Sequence, residues 1–487
     1  MEKLKGLEPK VVWEYFEQIC EIPRPSKKEK KIIQFLQKFA EQNNLESKKD
    51  KAGNLVIKKP GTKGKENLKP VVLQSHVDMV GEKNKGTDHN FETDPIKPYI
   101  EGDWVKAEGT TLGADDGIGI AAQLAILASD EIQHGPVECL FTVDEETGLT
   151  GAFALESDFF DGKILINLDS EDEGELFIGC AGGIDTVARI NYDKEKSPSD
   201  HIGYRLFVTG LNGGHSGDEI HKGFGNSLKI ANRFIWEIND NYDVRISTFT
   251  GGSARNAIPR EAEIIMSVHQ EDIDDVEKFY NKYKEDIKNE LRATEPNLDI
   301  IFEKIDKPQW IIDEDSQYDL INALYACPHG VYEWSKEIED LVETSTNLAS
   351  IKIEEDERFF ITTSQRSSVE TAKRDIANMV ESVFRLAGAK VKHSSGYPGW
   401  QPDTDSEIMK ITRDAYKKLF NTDPEVKAIH AGLECGLFLQ KYPYLDMISF
   451  GPTIKGAHTP EEKISIETTE KFWKLLLEVL DKIPEDK

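Results

Sequence analysis

A short segment gives the clearest indication of how this 487-residue chain folds: Val71-Val72-Leu73-Gln74-Ser75-His76-Val77-Asp78-Met79-Val80. Consecutive apolar residues at its start are typical of a strand buried on both faces of an α/β sheet. Polar residues follow where such a strand ends, and open α/β sheets bind ligands beyond the carboxyl ends of their strands. His76 and Asp78 are two residues apart, so they face the same way. A carboxylate in that place can hold a metal-bound imidazole in one tautomer.

Further elements bring acids or a histidine to comparable places. They are the strand 137–143 before Asp144-Glu145-Glu146, the strand 163–168 before Asp169, the loop with Asp115 before a helix over 118–129, and the strand 446–450 before the loop with His458. Strands that alternate with helices predict an α/β sheet whose polar site lies along one edge.

Five of these residues could ligate metal: His76, Asp115, Glu146, Asp169 and His458. Two imidazoles and three carboxylates without a cysteine suit divalent zinc, cobalt or manganese. Because five protein ligands are too many for one catalytic zinc, the set predicts two metal ions with a bridging carboxylate and a shared water. Glu145 is adjacent to Glu146, and neighbouring residues at a strand end point in different directions, so one of the two can ligate metal while the other stays free as a general base.

The overall charge excludes some classes of partner. The formal net charge is −29, from 89 acidic and 60 basic residues. Nucleic acids and anionic membranes both require a basic surface, so neither is expected as a partner. The start of the chain lacks an apolar signal region and no apolar run approaches the length of a membrane span, which predicts a cytoplasmic protein.

The pattern of elements changes near residue 201, where the order strand, helix, strand, strand, helix occurs twice. The first repeat is predicted at 204–211, 226–238, 244–250, 262–268 and 273–291, and the second at 298–304, 316–326, 349–353, 359–363 and 370–386. The length also indicates more than one domain. We therefore predict an α/β domain formed by 1–184 and 396–487, with a duplicated α+β domain inserted at 185–395. At the start of the chain, Ser26-Lys27-Lys28-Glu29 fits a capping box and predicts a helix over 26–43.

Two other readings compete with a metal-dependent enzyme. Gly117-Ile118-Gly119-Ile120-Ala121-Ala122 fits a dinucleotide-binding pattern, but no hydrophobic strand precedes it and two acids lie where a pyrophosphate would bind. A non-catalytic metal-binding protein is the second alternative, and it gives no role to the free carboxylate of Glu145.

Several motifs together resemble the M20 family of di-zinc peptidases, in particular its aminoacyl-histidine dipeptidase branch. The motifs are His76-Val77-Asp78, Gly113-Ala114-Asp115-Asp116-Gly117, Asp144-Glu145-Glu146-Thr147-Gly148, Asn167-Leu168-Asp169-Ser170, Gly213-Gly214-His215-Ser216-Gly217, Ala254-Arg255-Asn256-Ala257, Ser364-Gln365-Arg366-Ser367 and Gly456-Ala457-His458-Thr459-Pro460. The likeness extends over nearly the whole chain. It implies a zinc-peptidase-like α/β catalytic domain with the duplicated α+β domain as a lid.

The resemblance also implies roles for the metal-site residues. One zinc would be held by His76, Asp115 and Asp169, and the other by Asp115, Glu146 and His458, with Asp115 as the bridge. Asp78 would orient His76, and Glu145 would be the general acid and base. The peptide bond between Asp115 and Asp116 is expected to be cis.

For substrate, the resemblance implies unblocked dipeptides, mainly Xaa-His and including β-Ala-His. His215 of the lid would stabilise the oxyanion. Arg366, whose guanidinium suits a carboxylate, and Asn256 would bind the substrate C-terminus. An N-acyl amino acid deacylase is the alternative activity, because the same metal centre cleaves any amide. Both a monomer and a homodimer are compatible with a duplicated lid.

Overall fold

The computed structural model describes residues 3–354 and 358–486. These residues form two compact units. The first comprises the chain up to Gly179 together with Pro402–Ala428 and the residues from Leu433 onward, and the second comprises Cys180–Gln401 and Ile429–Gly432. The change-over points lie a few residues from the predicted 184/185 and 395/396. The assignment of Ile429–Gly432 to the second unit was not predicted.

The elements are numbered along the chain. Before the second unit they are α1 (Lys10–Cys20), α2 (Lys30–Gln42), β1 (Glu46–Lys49), β2 (Leu55–Lys59), β3 (Val71–His76), β4 (Pro98–Glu101), β5 (Trp104–Ala107), α3 (Ala114–Ala128), β6 (Val137–Thr142), α4 (Thr150–Ala154), β7 (Ile164–Asn167) and β8 (Glu175–Cys180).

The second unit contributes the next group. These elements are β9 (Gly182–Asn191), β10 (Lys194–Lys196), β11 (His201–Thr209), β12 (Gly214–His215), a 3₁₀ turn (Ile220–Lys222), α5 (Ser227–Asn239), β13 (Val244–Gly251), β14 (Ala257–Ile258), β15 (Ala262–His269), α6 (Ile273–Glu290), β16 (Asp299–Ile305), β17 (Trp310–Ile312), α7 (Glu314–Ala326), β18 (Gly330–Trp334), β19 (Val342–Ile353), β20 (Arg358–Ser367), α8 (Glu370–Leu386) and β21 (Lys390–His393).

The remaining elements complete the first unit. They are α9 (Glu407–Phe420), β22 (Glu425–Ile429), α10 (Glu434–Lys441), β23 (Asp446–Ser449), β24 (Ile454–Lys455), β25 (Lys463–Ser465) and α11 (Ile466–Lys482).

The first unit contains an eight-stranded sheet in the order β1-β2-β6-β3-β7-β23-β8-β22. Its central strands β6, β3, β7 and β23 are mutually parallel, and every residue of β3, β6 and β7 is buried. Consecutive buried residues are expected in a sheet covered on both faces. Because the strands are parallel, the residues that follow them lie along one edge. The prediction of an α/β sheet with a polar edge is confirmed.

The second unit contains a large antiparallel sheet in the order β16-β11-β15-β13-β19-β20-β9-β21, with β18 paired to β19. Its two halves meet where β13 pairs with β19. Each half has three core strands, which are β11, β15 and β13 in the first half and β9, β20 and β19 in the second. In each half one helix precedes the strand nearest the middle of the sheet (β13 or β19), and another helix follows the strand beside it (β15 or β20). The second unit therefore consists of two similar halves, as the repeated order of elements in the sequence predicted.

One strand of the predicted repeat was assigned wrongly. The strand predicted at 298–304 is β16, which pairs with β11 at the edge of the first half. The place equivalent to β11 is taken in the second half by β9, which pairs with β20 along its full length. The second half therefore begins before the first half in the chain. Order along the sequence alone does not show which strands are neighbours.

The core of the second unit is built around Phe234 of α5, which is fully buried. The rings of Phe279, Tyr283 and Phe302 lie within 6 Å of its ring centre. In the first unit, the segment Gly117–Ala122 is buried inside α3. It is therefore not an exposed phosphate-binding loop. Among the described residues, no helix is both long and apolar enough to cross a membrane.

Candidate metal centre

Asp115 lies between two histidines. Its Oδ1 is 2.8 Å from His76 Nε2, and its Oδ2 is 3.2 Å from His458 Nε2. His76 is also 3.3 Å from Asp169 Oδ1, and His458 is 2.9 Å from Glu146 Oε2. The two histidines therefore contact different oxygens of Asp115. Each also contacts one further carboxylate, that of Asp169 for His76 and that of Glu146 for His458.

These contacts produce two overlapping groups of ligand atoms. One group is His76, Asp115 and Asp169, and the other is Asp115, Glu146 and His458, with the ligand atoms of each group within 4.8 Å of one another. The predicted ligands are thus brought together in the predicted sets. Asp115 is common to both groups and offers a different oxygen to each.

The architecture of the sheet explains this convergence. His76 ends β3, Glu146 follows β6 and Asp169 follows β7, so three parallel strands deliver one residue each to the same edge. Asp115 enters from the start of α3, where Asp115 and Asp116 depart from helical geometry and the bond between them is cis. The prediction of a cis bond at this position is confirmed.

Asp78 connects His76 to the acidic loop. Its carboxylate lies 3.4 Å from His76 Nδ1 and accepts the backbone N–H groups of Glu145 and Glu146 at 3.0 and 3.2 Å. Burial opposes ionisation, but the contact with His76 and these donors lower the pKa of Asp78 to about 2. Asp78 therefore remains an anion that lies beside His76 and accepts hydrogen bonds from the backbone of the acidic loop.

The charge balance of the site favours a cation. Burial, reinforced by neighbouring acids, raises the pKa of Asp169 to about 7, that of Glu171 to about 8 and that of Glu145 well above its usual value. Contacts with Asp115 and Glu146 raise the pKa of the half-exposed His458 to about 11. A divalent ion bound among these neighbouring carboxylates would offset their mutual repulsion. A donor set of carboxylate oxygens and imidazole nitrogens also fits zinc, cobalt or manganese.

Comparison with known proteins identifies the family. The profile of "Peptidase family M20/M25/M40" matches residues 72–482. The chain belongs to this peptidase family. It is 44% identical over 484 residues to the cytosol non-specific dipeptidase of Escherichia coli K12, covering 99% of this chain and all of that protein.

Solved structures also resemble this chain. The crystal structure of aminoacylhistidine dipeptidase from Vibrio alginolyticus matches with a TM-score of 0.94 and 45% identity, covering 100% of both chains. A tripeptidase structure from Staphylococcus aureus matches with a TM-score of 0.56 and 16% identity, over 98% of this chain and 99% of that one. This second likeness extends to the fold alone.

In this M20 chain, His215 and Asn256 lie together in the second unit. His215 ends β12 and Asn256 directly precedes β14; His215 is opposite Ala257, and Ser216 N–H donates to the Asn256 carbonyl. His215 Nδ1 is 2.9 Å from Asp218 Oδ2. A carboxylate on one nitrogen fixes the orientation of the imidazole, as in catalytic histidines of other enzymes.

Arg366 is located on β20 of the same unit and is only 7% exposed. Its Nη1 donates to the hydroxyl of Tyr397 at 2.9 Å, and its Nε has no hydrogen-bond partner within residues 3–354 and 358–486. Arginine is rarely buried without an anionic partner. The position is therefore unlike that of an ordinary surface cation.

Three buried ionisable residues of the first unit were missed by the sequence analysis. They are Arg24, Glu434 and Glu462, each at most 2% exposed. Glu462 bonds to the backbone before Asp115, Arg24 bonds to the backbone around Asp78, and Glu434 bonds to Gln74. The only sequence signals were the position of Glu462 four residues after His458 and that of Arg24 between two prolines.

Proposed function

We propose that this M20 peptidase is a dipeptidase that hydrolyses the peptide bond of unblocked dipeptides, including Xaa-His substrates such as β-Ala-His, at a centre of two divalent metal ions. The observation that carries the proposal is the position of Asp115, whose two oxygens face His76 and His458 separately. A carboxylate that serves two ligand groups in this way suits a bridge in a two-metal hydrolase.

The metal ions would be held by His76, Asp115 and Asp169 on one side and by Asp115, Glu146 and His458 on the other. When bound, two such ions lower the pKa of a shared water and polarise the carbonyl of the scissile bond. Zinc fits this donor set, as do cobalt and manganese.

Glu145 is the proposed general base. Its neighbour Glu146 contacts His458, whereas Glu145 has its backbone fixed by Asp78 and its side chain in a buried, acid-rich environment that raises its pKa. A raised pKa suits a group that accepts a proton from the attacking water and then donates it to the leaving amine. Asp78 positions the loop that carries Glu145.

The second unit would supply the substrate-binding groups. His215, oriented by Asp218, is the proposed donor to the oxyanion of the tetrahedral intermediate. Arg366 and Asn256 are proposed to bind the C-terminal carboxylate. The proposed domain roles are a catalytic domain from 1–184 and 396–487 and a lid from 185–395.

The identity of the relatives supports dipeptides as substrates. The Escherichia coli relative is named a non-specific dipeptidase and the Vibrio alginolyticus relative an aminoacylhistidine dipeptidase. An N-acyl amino acid deacylase shares the metal chemistry but is not favoured by these relatives. The name of the Escherichia coli protein also supports a cytosolic location.

The test is metal analysis combined with a substrate panel. We expect about two equivalents of a divalent metal per chain, and hydrolysis of β-Ala-His and other free dipeptides that is lost on chelation and restored by metal. N-acetyl-histidine and C-terminally amidated dipeptides should be poor substrates. Faster cleavage of N-acetyl-histidine than of free dipeptides would instead assign a deacylase. Size measurement in the same buffer distinguishes a monomer from a homodimer.

A further inference from the structure

The carboxylate of Glu462 binds the backbone immediately before the bridging aspartate. It accepts four successive N–H groups: those of Leu112 at 2.6 Å and Gly113 at 2.9 Å on Oε2, and those of Ala114 at 2.7 Å and Asp115 at 3.4 Å on Oε1. Glu462 is only 2% exposed. Hydrogen bonds to an ionised acceptor are stronger than those between neutral groups. The segment 112–115 is thus bound along its whole length by one side chain.

The guanidinium of Arg24 binds carbonyl groups of the same region. It donates to Val77 O at 3.1 Å and Asp78 O at 2.6 Å through Nη1, and to Gly113 O through Nη2. Arg24 therefore connects the end of β3, which carries His76, to the segment that carries Asp115. The carboxylate of Glu462 thus binds the N–H groups of the segment 112–115, and the guanidinium of Arg24 binds a carbonyl group of the same segment.

The packing at Gly113 leaves little freedom in this arrangement. Gly113 has φ of +68°, and a Cβ at this residue would lie 2.7 Å from Arg24 Nη2 and 2.9 Å from the sulfur of Met79. A Cβ at Gly117 would lie 2.6 Å from the same nitrogen. Glycine is therefore required at both positions for Arg24 to reach the backbone.

Glu462 also belongs to the loop that carries His458. Within this loop Thr459 N–H donates to Gly456 O, and Glu462 N–H donates to Thr459 O. The backbone of His458 has φ of +64°, which few residues other than glycine adopt. Such a conformation persists where the surrounding contacts fix it. The side chain of Glu462 connects this loop to the backbone of the segment that carries Asp115.

Burying two charged groups is costly, and this cost argues for a role other than stability. Glu462 and Arg24 are each only 2% exposed, so both ionisable groups are removed from water. Buried ionic groups contribute little net stability, since apolar residues of similar volume often replace them without loss. They can, however, specify one arrangement of the chain.

We propose that Glu462 and Arg24 are positioning residues that set the distance between Asp115 and His458, and through it the affinity for the metal ions. The inference rests on the proposed ligand roles of Asp115 and His458. Neither Glu462 nor Arg24 needs to contact metal or substrate for this role. Residues that orient metal ligands typically contribute 10–100-fold to metal affinity.

The decisive experiment compares Glu462→Gln with Glu138→Gln in the full-length protein. Glu138 is a matched control: it is 4% exposed and accepts the backbone N–H groups of Asp161 and Gly162. It lies near the start of β6, at the sheet edge opposite the site. For each variant, zinc affinity is measured by competition with a chromophoric chelator, and the melting temperature is measured on the metal-free protein.

We expect Glu462→Gln to weaken zinc binding by about 10–100-fold. The side-chain amide would place its own N–H donors against the backbone N–H donors of residues 112–115. Glu138→Gln should lower the melting temperature but retain wild-type zinc affinity. Arg24→Lys should weaken zinc binding in the same direction, since an ammonium group cannot span three carbonyl groups.

Wild-type zinc affinity in Glu462→Gln, or equal weakening in both glutamine variants, would overturn the proposal and leave a structural role only. If Glu462→Gln does not fold, Glu462→Asp is measured by the same criteria, because it retains both oxygens with a shorter reach. A wild-type chain that binds no divalent metal would refute the proposed function itself, which separates the two failures.

Discussion

The side-chain amide of Gln74 donates a 2.6 Å hydrogen bond to the buried carboxylate of Glu434. Thr142 donates to the same oxygen at 2.8 Å, and the side-chain amide of Asn167 donates to Gln74 Oε1 at 2.6 Å. Gln74 and Asn167 each precede a proposed metal ligand by two residues, so they share its side of the strand. This polar row lies directly beneath the candidate metal centre.

The buried carboxyl group of Glu434 should make the stability of the metal-free protein depend on pH. Burial, with a further contribution from nearby acids, raises the pKa of Glu434 to about 8, whereas the pKa of a glutamate in an unfolded chain is about 4.3. Between these values the native state binds the proton and the unfolded state does not, so the contribution to stability is lost as the pH rises. We expect the melting temperature of the wild type to fall relative to that of Glu434→Gln between about pH 5 and 8.

The measurement is a series of thermal melts on chelator-treated protein, with both chains in the same buffers. Glu434→Gln is the suitable variant because its amide oxygen can accept the hydrogen bonds of Gln74 and Thr142 without titrating. A constant difference in melting temperature across this range would show that Glu434 does not change its protonation there.

Glu145→Gln should bind metal normally but lose nearly all turnover. The amide is close in shape to the carboxylate, but it cannot accept the proton of the attacking water. General base catalysis typically contributes about 10²–10⁴-fold to the rate. Initial rates on β-Ala-His with the enzyme saturated in zinc provide the measurement, and activity within tenfold of the wild type would contradict the assignment.

Glu146→Gln is the matched partner of that variant and should behave differently. Glu146 Oε2 contacts His458 Nε2, so its loss removes a proposed ligand rather than a base. We expect fewer metal equivalents after dialysis, with activity partly restored by excess zinc. If both glutamine variants lose metal equally, the division of roles between Glu145 and Glu146 is wrong.

Asp78→Asn should weaken metal binding and turnover together. The carboxylate of Asp78 serves His76 and the N–H groups of Glu145 and Glu146 at once, and an amide would direct a donor at one of them. The typical loss for such a change is about 10–100-fold in metal affinity or activity. Asp446→Asn is the control, because Asp446 binds Ser406 and Ile408 at the opposite end of a parallel strand and should leave zinc affinity unchanged.

The convergence of the proposed ligands could be predicted from the sequence because it depends on a simple geometric rule. Parallel strands with buried runs bring the residues that follow them to one edge, so His76 and Asp169 had to be neighbours. Glu462 and Arg24 could not be predicted in this way. Their partners are backbone groups, which are the same at every residue, so no spacing of side chains indicates the contact.

A local pattern also failed near the start of the chain. Ser26 and Glu29 fit a capping box, but the helix begins at Lys30 and its first residues have no side-chain cap. The prediction was wrong because Glu29 instead accepts the N–H of Lys27 at 2.7 Å. The spacing of Ser26 and Glu29 does not show which of these two local contacts forms.

The surroundings of Arg366 predict that the substrate is a dipeptide with a free C-terminus. Its guanidinium is buried on β20 and has Tyr397 as a neutral partner, so a carboxylate would complete its hydrogen bonding and balance its charge. A longer peptide would place a neutral amide there and leave the charge unpaired. Truncating one member of a desolvated charge pair typically costs about 2–5 kcal/mol. Arg366→Ala should therefore lower kcat/KM on Xaa-His dipeptides by tens- to thousands-fold.

The comparison with amidated substrates separates recognition of the carboxylate from a loss of folding. In the wild type, β-Ala-His should be cleaved much faster than its C-terminal amide, and in Arg366→Ala this preference should largely disappear because the amide never used the arginine charge. Arg374→Ala is the control, since Arg374 is an exposed arginine on α8 of the same unit and its loss changes the net charge equally. Equal cleavage of the acid and the amide by the wild type would show that Arg366 does not select the free terminus, because the arginine charge can form an ion pair with the carboxylate but not with the amide.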